Sequence, residues 1–235
     1  MNKKCFMIFL FFYAMGLGYL NDAQGAVLTV KAPFVGQAPV AEKIKADADP
    51  KCKMVHPDGI TPDQVLVYHN GTLKNVFVYV KDGLNGKIVP APKDPVVFDQ
   101  KGCQYSPKVF GIQVNQPLEI RNSDDTLHNV HALPVNSKSF NLGMPIKGMK
   151  LKKTFTKPEV MVKIKCEVHS WMTAFAGVLD HPFFGVTGDE GIAAIKDLPA
   201  GEYTIEAWHE KYGTQTQKVT VTDKDQEISF SFKAA

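Results

Sequence analysis

Beyond its first two dozen residues, the chain alternates short apolar runs with turn residues, and no window keeps a sustained helical period. The runs are QVLVYH, NVFVYV, KVFGIQV, PLEIRN, HNVHAL, KTFTK, VMVKIKC, FAGVLD, YTIEAWH, QKVTVT and EISFSF. They are rich in Val, Ile, Phe and Tyr, which suit a pleated, half-buried surface. Gly, Pro, Asn and Asp punctuate them, so the pattern predicts an all-β fold of short strands in sandwiches or Greek-key barrels. Asn70-Gly71, between VLVYH and LKNVFVYV, predicts a hairpin turn, because a tight primed turn needs positive φ. Asn70-Gly71-Thr72 is also a glycosylation sequon, but turn chemistry accounts for it.

The first residues follow a different pattern. Lys3 and Lys4 precede an apolar run from Cys5 to Leu20, and small residues follow around Ala23-Gln24-Gly25. This is the form of a secretory signal peptide, residues 1–25, cut after Gly25. The run falls short of the about 20 apolar residues of a membrane span, and an uncleaved N-terminal anchor is the alternative. No later stretch is apolar enough to cross a bilayer, so the expected location is periplasmic or secreted. Three regions follow the leader: an N-terminal β segment over 26–98 that ends in IVPAPKDP, a compact β unit over 99–180, and a C-terminal β unit over 181–235. A chain of 235 residues can bury one or two cores.

Composition and charge mostly exclude. The chain is 44% apolar and 22% charged, as in ordinary globular proteins. Of the formal charge of +3, Lys3, Lys4 and Asp22 of the leader account for one, which leaves +2. That is too little to argue for nucleic acid or an anionic surface. There is no Gly-rich phosphate loop, no Ser-His-Asp order and no paired carboxylates with a pocket signature, so an enzyme is not expected.

The cysteines change the picture. Of four, Cys5 lies in the leader, leaving Cys52, Cys103 and Cys166, an odd number for an oxidising compartment. The economical solution joins Cys52 to Cys103 and gives Cys166 a separate task. Cys166 lies in KCEVHSWM, where Cys166, His169 and Met172 are each separated by two residues. Taken singly, each reads as structural. Together, a strand ending at Cys166 and a tight turn bring three donors around one point. RNSDDTLHNVHALP, with Asp124-Asp125 in its turn, supplies a fourth donor from His128 or His131. Residues three apart on a strand face opposite ways, so both imidazoles do not serve one ion. A thiolate, two imidazoles and a thioether favour copper, whereas zinc seldom recruits methionine. A binuclear copper centre needs a second cysteine nearby, and haem attachment needs one before the Cys-His pair; both are absent.

These residues carry a family resemblance. The middle unit resembles the cupredoxins, the fold of plastocyanin, azurin and amicyanin, through QYSPKVFGIQVNQPLEIRNSD, His128-Asn129-Val130-His131 and CEVHSWM. It is similar to exported bacterial proteins labelled plastocyanin-like or methylamine utilisation proteins. The resemblance implies a Greek-key β-sandwich holding one type 1 (blue) copper, with His128, Cys166 and His169 in the plane and Met172 as weak axial ligand. It makes Asn122 the tie between ligand loops and has the backbone N–H of Asn129 bond the Cys166 sulfur. It implies a carrier of single electrons, with electrons passing through the edge of His169 to a redox partner protein docked near His169 and Trp171. A copper-delivery or storage module and a metal-free scaffold or adhesion module are the rival readings.

The C-terminal unit resembles the transthyretin-like, carboxypeptidase regulatory-type β-sandwich, through GDEGIAAIKDLPAGEYTIEAWHEKYG. TLKNVFVYVKD resembles that sandwich's early strands, which implies that the middle unit is inserted into it and that strands 73–81 and 201–209 touch. Trp171 either rims the copper or packs on the C-terminal unit. His56 reads as incidental to a disulfide loop, with a second metal site as its alternative, and His209 as structural. Met144 and Met149, in MPIKGMKLKK, read as a solvated loop, with a soft Cu(I) acquisition site as the alternative.

Overall fold

The computed structural model describes residues 25–87 and 89–234; the expected leader lies outside the described residues apart from Gly25. The chain begins with β1 (Ala26–Lys31), β2 (Phe34–Val35), a short helix α1 (Pro50–Val55) and β3 (Phe77–Asp82). Nine strands follow: β4 (Val96–Gln100), β5 (Tyr105–Ser106), β6 (Val109–Gln113), β7 (Leu118–Asn122), β8 (His128–Leu133), β9 (Phe140–Met144), β10 (Lys150–Lys153), β11 (Glu159–Lys165) and β12 (Thr173–Leu179). The chain ends with β13 (Phe184–Val186), β14 (Ile192–Leu198), β15 (Gly201–His209), β16 (Gly213–Val221), β17 (Gln226–Ser229) and β18 (Phe232–Lys233). The fold is all-β, as the alternation of runs and turns predicts.

Two sandwiches result. The sheets β10-β7-β4-β5 and β6-β12-β11-β8-β9 enclose one core, which contains Phe98, Ile120, Val130, Phe155 and Ile164. The sheets β14-β1-β17 and β13-β3-β15-β16 enclose another, which contains Leu28, Val30, Val78, Ile195 and Ile205. In the second sandwich β3 lies between β13 and β15, with Phe77 opposite Trp208 and Val80 opposite Ile205. The chain therefore leaves that sandwich after β3, builds the first one and returns at β13. The first sandwich starts at Val96, so residue 98 falls inside β4 rather than at a boundary.

Burial on both faces explains the most apolar runs. In β3, Val78 and Val80 point into their own core while Phe77 and Tyr79 point at the other sandwich. In β12, Ala174, Ala176 and Val178 fill the first core, while Phe175 and Leu179 face outward into the same seam. Alternation along a strand gives this two-sided packing. Gly111 and Gly177 are partners in the β6–β12 ladder, and a methyl at either would run into an aromatic ring, Phe184 or Phe77. Those two rings stack on each other with centroids 5.8 Å apart. The glycine pair is thus the floor on which the second sandwich's aromatics sit.

Three expectations change. QVLVYH forms no strand: among its residues only Val67 makes a bridge, to Leu73 across the Tyr68–Thr72 turn. The turn has the expected chemistry, with Gly71 at positive φ and Asn70 Oδ1 accepting from Thr72. AVLTVK, not read as a strand, is β1, the centre of its sheet. The third is α1, which is too short to show a period. Its signature is Asp49-Pro50: Asp49 is the N-cap, accepting from the N–H groups of Lys51 and Cys52, and Pro50 fills the first helical position. Among the described residues no helix is long and apolar enough to cross a membrane.

Replacing Gly177 with alanine should lower the unfolding free energy by about 1–3 kcal/mol through overpacking against Phe77. Urea denaturation measures this; an unchanged midpoint would show that the seam yields without cost.

Candidate metal centre

Cys166 follows β11 directly, and the chain turns through 167–171 before β12. Both ends of the turn are tied: the Cys166 N–H donates to the Met172 carbonyl at 3.1 Å, and the Met172 N–H to the His169 carbonyl at 3.0 Å. β8 runs antiparallel beside β11, with His131 opposite Lys165, so His128 at the start of β8 lies next to this turn. His128, Cys166 and His169 are 0%, 3% and 1% exposed. One donor atom from each lies within 4.8 Å of the others. The two Nδ1 atoms are 3.0 Å apart, and His169 Nδ1 is 3.9 Å from Cys166 Sγ.

Behind each imidazole stands a carboxylate. His128 Nε2 donates to Asp124 Oδ2 at 2.8 Å, and His169 Nε2 to Asp49 Oδ2 at 3.0 Å. A proton placed on Nε2 leaves the lone pair on Nδ1. Two lone pairs facing each other at 3.0 Å repel unless a cation, a proton or a metal ion, lies between them. Nitrogens sharing one ion at roughly 2.0 Å lie about 3.0–3.5 Å apart, so the spacing suits a metal. The residues present therefore fit a soft or borderline ion held by two imidazoles and a thiolate.

Asp124 and Asp49 are residues that the sequence reading left out of the site. Asp124 accepts from the N–H groups of Gly102 and Cys103 at 2.7 and 2.8 Å. Asp49 accepts from Lys51 and Cys52 through Oδ1, and from the Thr126 hydroxyl at 2.7 Å through Oδ2. Cys52 and Cys103 form the expected disulfide. Each half-cystine thus adjoins the carboxylate behind one histidine. Asp124 had a signal in its spacing, four residues before His128; Asp49 had only its capping pattern.

The remaining predicted residues divide. Met172 is buried in the same core as Cys166. Asn122 ties the β7–β8 turn to β9, donating to the carbonyls of Thr126 and Met144 at 3.0 and 2.7 Å. Asn129 is what reaches the cysteine turn: its Oδ1 accepts from the Glu167 N–H at 2.6 Å, and its own backbone N–H bonds the Cys166 sulfur. His131 faces away and bonds Glu167 at 2.6 Å. His56 bonds the Gly102 carbonyl at 2.7 Å, which fastens the end of α1 to the Cys103 turn. His209 is buried beside Tyr212 and Phe232; burial, with Lys108 and Lys211 nearby, holds its pKa down at about 4.

Two expectations about this region are corrected, and an open one is decided. Met144 and Met149 are not solvated: Met144 is fully buried opposite His128, and Met149 packs against the core. Trp171 follows the first of its two readings: its ring centroid lies 5.0 Å from that of His169, and it packs against the core that holds Cys166 and Met172. Its indole N–H donates to the Cys103 carbonyl at 2.9 Å and its ring lies against Ile44, Ile60 and the disulfide. The His169 edge does not reach the surface, because Asp49 and Cys52 cover it, with Cys52 Sγ 3.6 Å from Nε2.

Electrostatics favour an ionised site. Burial alone would raise the Cys166 thiol, but hydrogen bonds from His128 and His169 and from backbone N–H groups outweigh it and hold the pKa at about 5. Burial would lower His128, yet Asp124 and Cys166 raise it to about 9. Opposite charges within 5 Å attract by roughly 3–4 kcal/mol at an effective dielectric of about 20, enough to offset partial desolvation. Burial opposes ionisation of Asp124 and Asp49 too, but their donors prevail, lowering Asp124 and taking Asp49 to about 2.

No family model matches the chain, and the search of curated proteins finds no match. Among solved structures, the Cu-containing nitrite reductase from Thermus scotoductus is 23% identical over 40% of this chain and 25% of its own, with a TM-score of 0.34. A purple cupredoxin from Nitrosopumilus maritimus is 22% identical over 35% of this chain and 98% of its own, with a TM-score of 0.31. The Cu(I) form of an amicyanin variant is 18% identical over 44% and 98%, with a TM-score of 0.32. This chain thus spans about a quarter of the reductase and nearly all of the two smaller proteins.

Because Cys166 titrates near pH 5 and His128 near pH 9, the metal-free site at neutral pH holds a thiolate and an imidazolium. Metal loading at pH 7 should therefore release about one proton, the one on His128. Below pH 5 the Cys166 proton adds to the count, and above pH 9 the His128 proton drops out of it. Calorimetry in buffers of different ionisation enthalpy counts these protons, and release of two at pH 7 would mean that Cys166 is a neutral thiol.

Proposed function

We propose that this protein is an exported mononuclear copper protein that carries single electrons between redox partners. The observation that supports this reading most is the convergence of Cys166 Sγ with the Nδ1 atoms of two buried histidines whose Nε2 atoms are both engaged by carboxylates. Sulfur with imidazole is the donor chemistry of copper in both oxidation states, and Met172 supplies a thioether on the same turn. The disulfide and the leader-like first residues support export. In this proposal His128, Cys166 and His169 would hold the ion in the manner of a cupredoxin, Met172 would add a weaker thioether bond, and the second sandwich is transthyretin-like.

Copper, when bound, supplies the one-electron couple. The chain's own part is to hold the donors so that neither oxidation state demands a rearrangement. Asp124 and Asp49 fix ring orientation, Asn129 restrains the cysteine turn, and the β8–β11 ladder fixes the distance between the two ligand loops. The N–H of Asn129 draws charge from the sulfur and so tunes the couple. Leu127 and Val168, each directly before a ligand histidine and each about half exposed, mark the face on which a redox partner would dock. No substrate turnover is part of this reading.

The covered edge of His169 favours a second reading, a module that holds or delivers copper. Reversible one-electron reduction with a partner would support the carrier; transfer of Cu(I) to an apo-acceptor without turnover would support delivery.

On adding Cu(II) to the mature protein we expect an intense visible thiolate-to-copper band and a one-copper EPR signal. Both should disappear in Cys166→Ala and in His128→Ala. Wild-type protein that takes up no copper would leave only a structural role for the sandwich.

A further inference from the structure

Asp49 does not belong to the sandwich that carries the metal ligands. It lies in the segment between β2 and β3, and α1 and the disulfide bring it back over the ligand turns. Its carboxylate takes four hydrogen bonds. Two, from the N–H groups of Lys51 and Cys52, cap α1 at 2.8 and 3.2 Å. The others come from opposite ligand loops: the Thr126 hydroxyl, two residues before His128, at 2.7 Å, and His169 Nε2 at 3.0 Å. His169 is 1% exposed, so no water competes for that nitrogen.

We propose that Asp49 is a positioning residue for the metal centre: it holds the proton of His169 on Nε2, so that Nδ1 faces the metal, and it ties the two ligand loops together from outside the sandwich. This rests on the copper reading for its purpose but not for its geometry. A carboxylate is purely an acceptor and accepts only the Nε2–H tautomer. An amide in its place would cap the helix with its oxygen and turn its N–H groups toward His169. The ring would then have to accept at Nε2 and carry its proton on Nδ1, where it blocks the metal. Outer-shell partners of ligating histidines typically matter by about 10–100-fold in metal affinity.

The test uses Asp49→Asn, which keeps a good helix cap and hence α1. Asp47→Asn is the control: it removes the same charge from the same segment, where Asp47 is paired with the exposed Lys53. Nitrogen NMR of the metal-free protein reads the His169 tautomer directly, and competition with a Cu(I) chelator reads affinity. We expect wild-type protein and Asp47→Asn to show His169 protonated on Nε2 with a slowly exchanging proton. We expect Asp49→Asn to show the Nδ1-protonated ring and a Cu(I) affinity lower by about 10–100-fold. A wild-type His169 protonated on Nδ1, or an Asp49→Asn protein with unchanged tautomer, would overturn the proposal without any metal. So would an equal effect of Asp47→Asn. Wild-type protein that binds no copper yet shows the Asp49-dependent tautomer would refute the copper reading while leaving Asp49's hold on the ring established.

Discussion

Two imidazole Nδ1 atoms aimed at each other across 3.0 Å, with room between them only for a proton or a metal ion and in a place water does not reach, are the constraint on which the rest of this structure turns. Left alone, they would swing apart or flip. Each ring has a second nitrogen, and each second nitrogen is taken by a carboxylate, Asp124 behind His128 and Asp49 behind His169. Those carboxylates are themselves held by several N–H and O–H donors, which keep each of them behind its imidazole. What the rings present inward is therefore settled by what holds them outward.

The disulfide makes sense in these terms. Cys52 lies on the helix capped by Asp49, and Cys103 supplies one of the N–H groups that hold Asp124. Joining the two cysteines joins the supports of the two histidines, although the residues are 51 apart in sequence. His56 and Trp171 reinforce the same junction, bonding the carbonyls of Gly102 and Cys103. The segment over 44–60 is thus less a linker than an outer wall of the centre. One consequence is that the His169 edge is enclosed, whereas Leu127 and Val168, directly before the two buried histidines, are exposed.

The second sandwich bears on the centre through its seam with the first. Phe77 and Phe184 sit on the Gly111–Gly177 pair, directly on the strand whose other face lines the core around Cys166 and Met172. β12 can serve both faces because its side chains alternate, with alanines and a valine inward and Phe175, Gly177 and Leu179 toward the seam. The strand that follows the Cys166–Met172 turn is thus packed into two cores.

The sequence by itself determined the strand-rich class, the Cys52–Cys103 pairing by elimination, and the thiol, imidazole and thioether spacing at 166, 169 and 172. These are local or countable properties: period-two alternation, an odd cysteine and donors within one turn. Choosing His128 over His131 needed only the alternation of a strand and a family resemblance. Tertiary structure alone decided the role of Asp49, which lies 120 residues from His169, and the enclosure of the His169 edge. It also decided the two-sided burial of NVFVYV and the isolated bridge where QVLVYH promised a strand. Such facts depend on which surfaces meet, and a single chain read in order carries no record of the neighbour that removes an edge from water or turns a helix cap into a ligand's support.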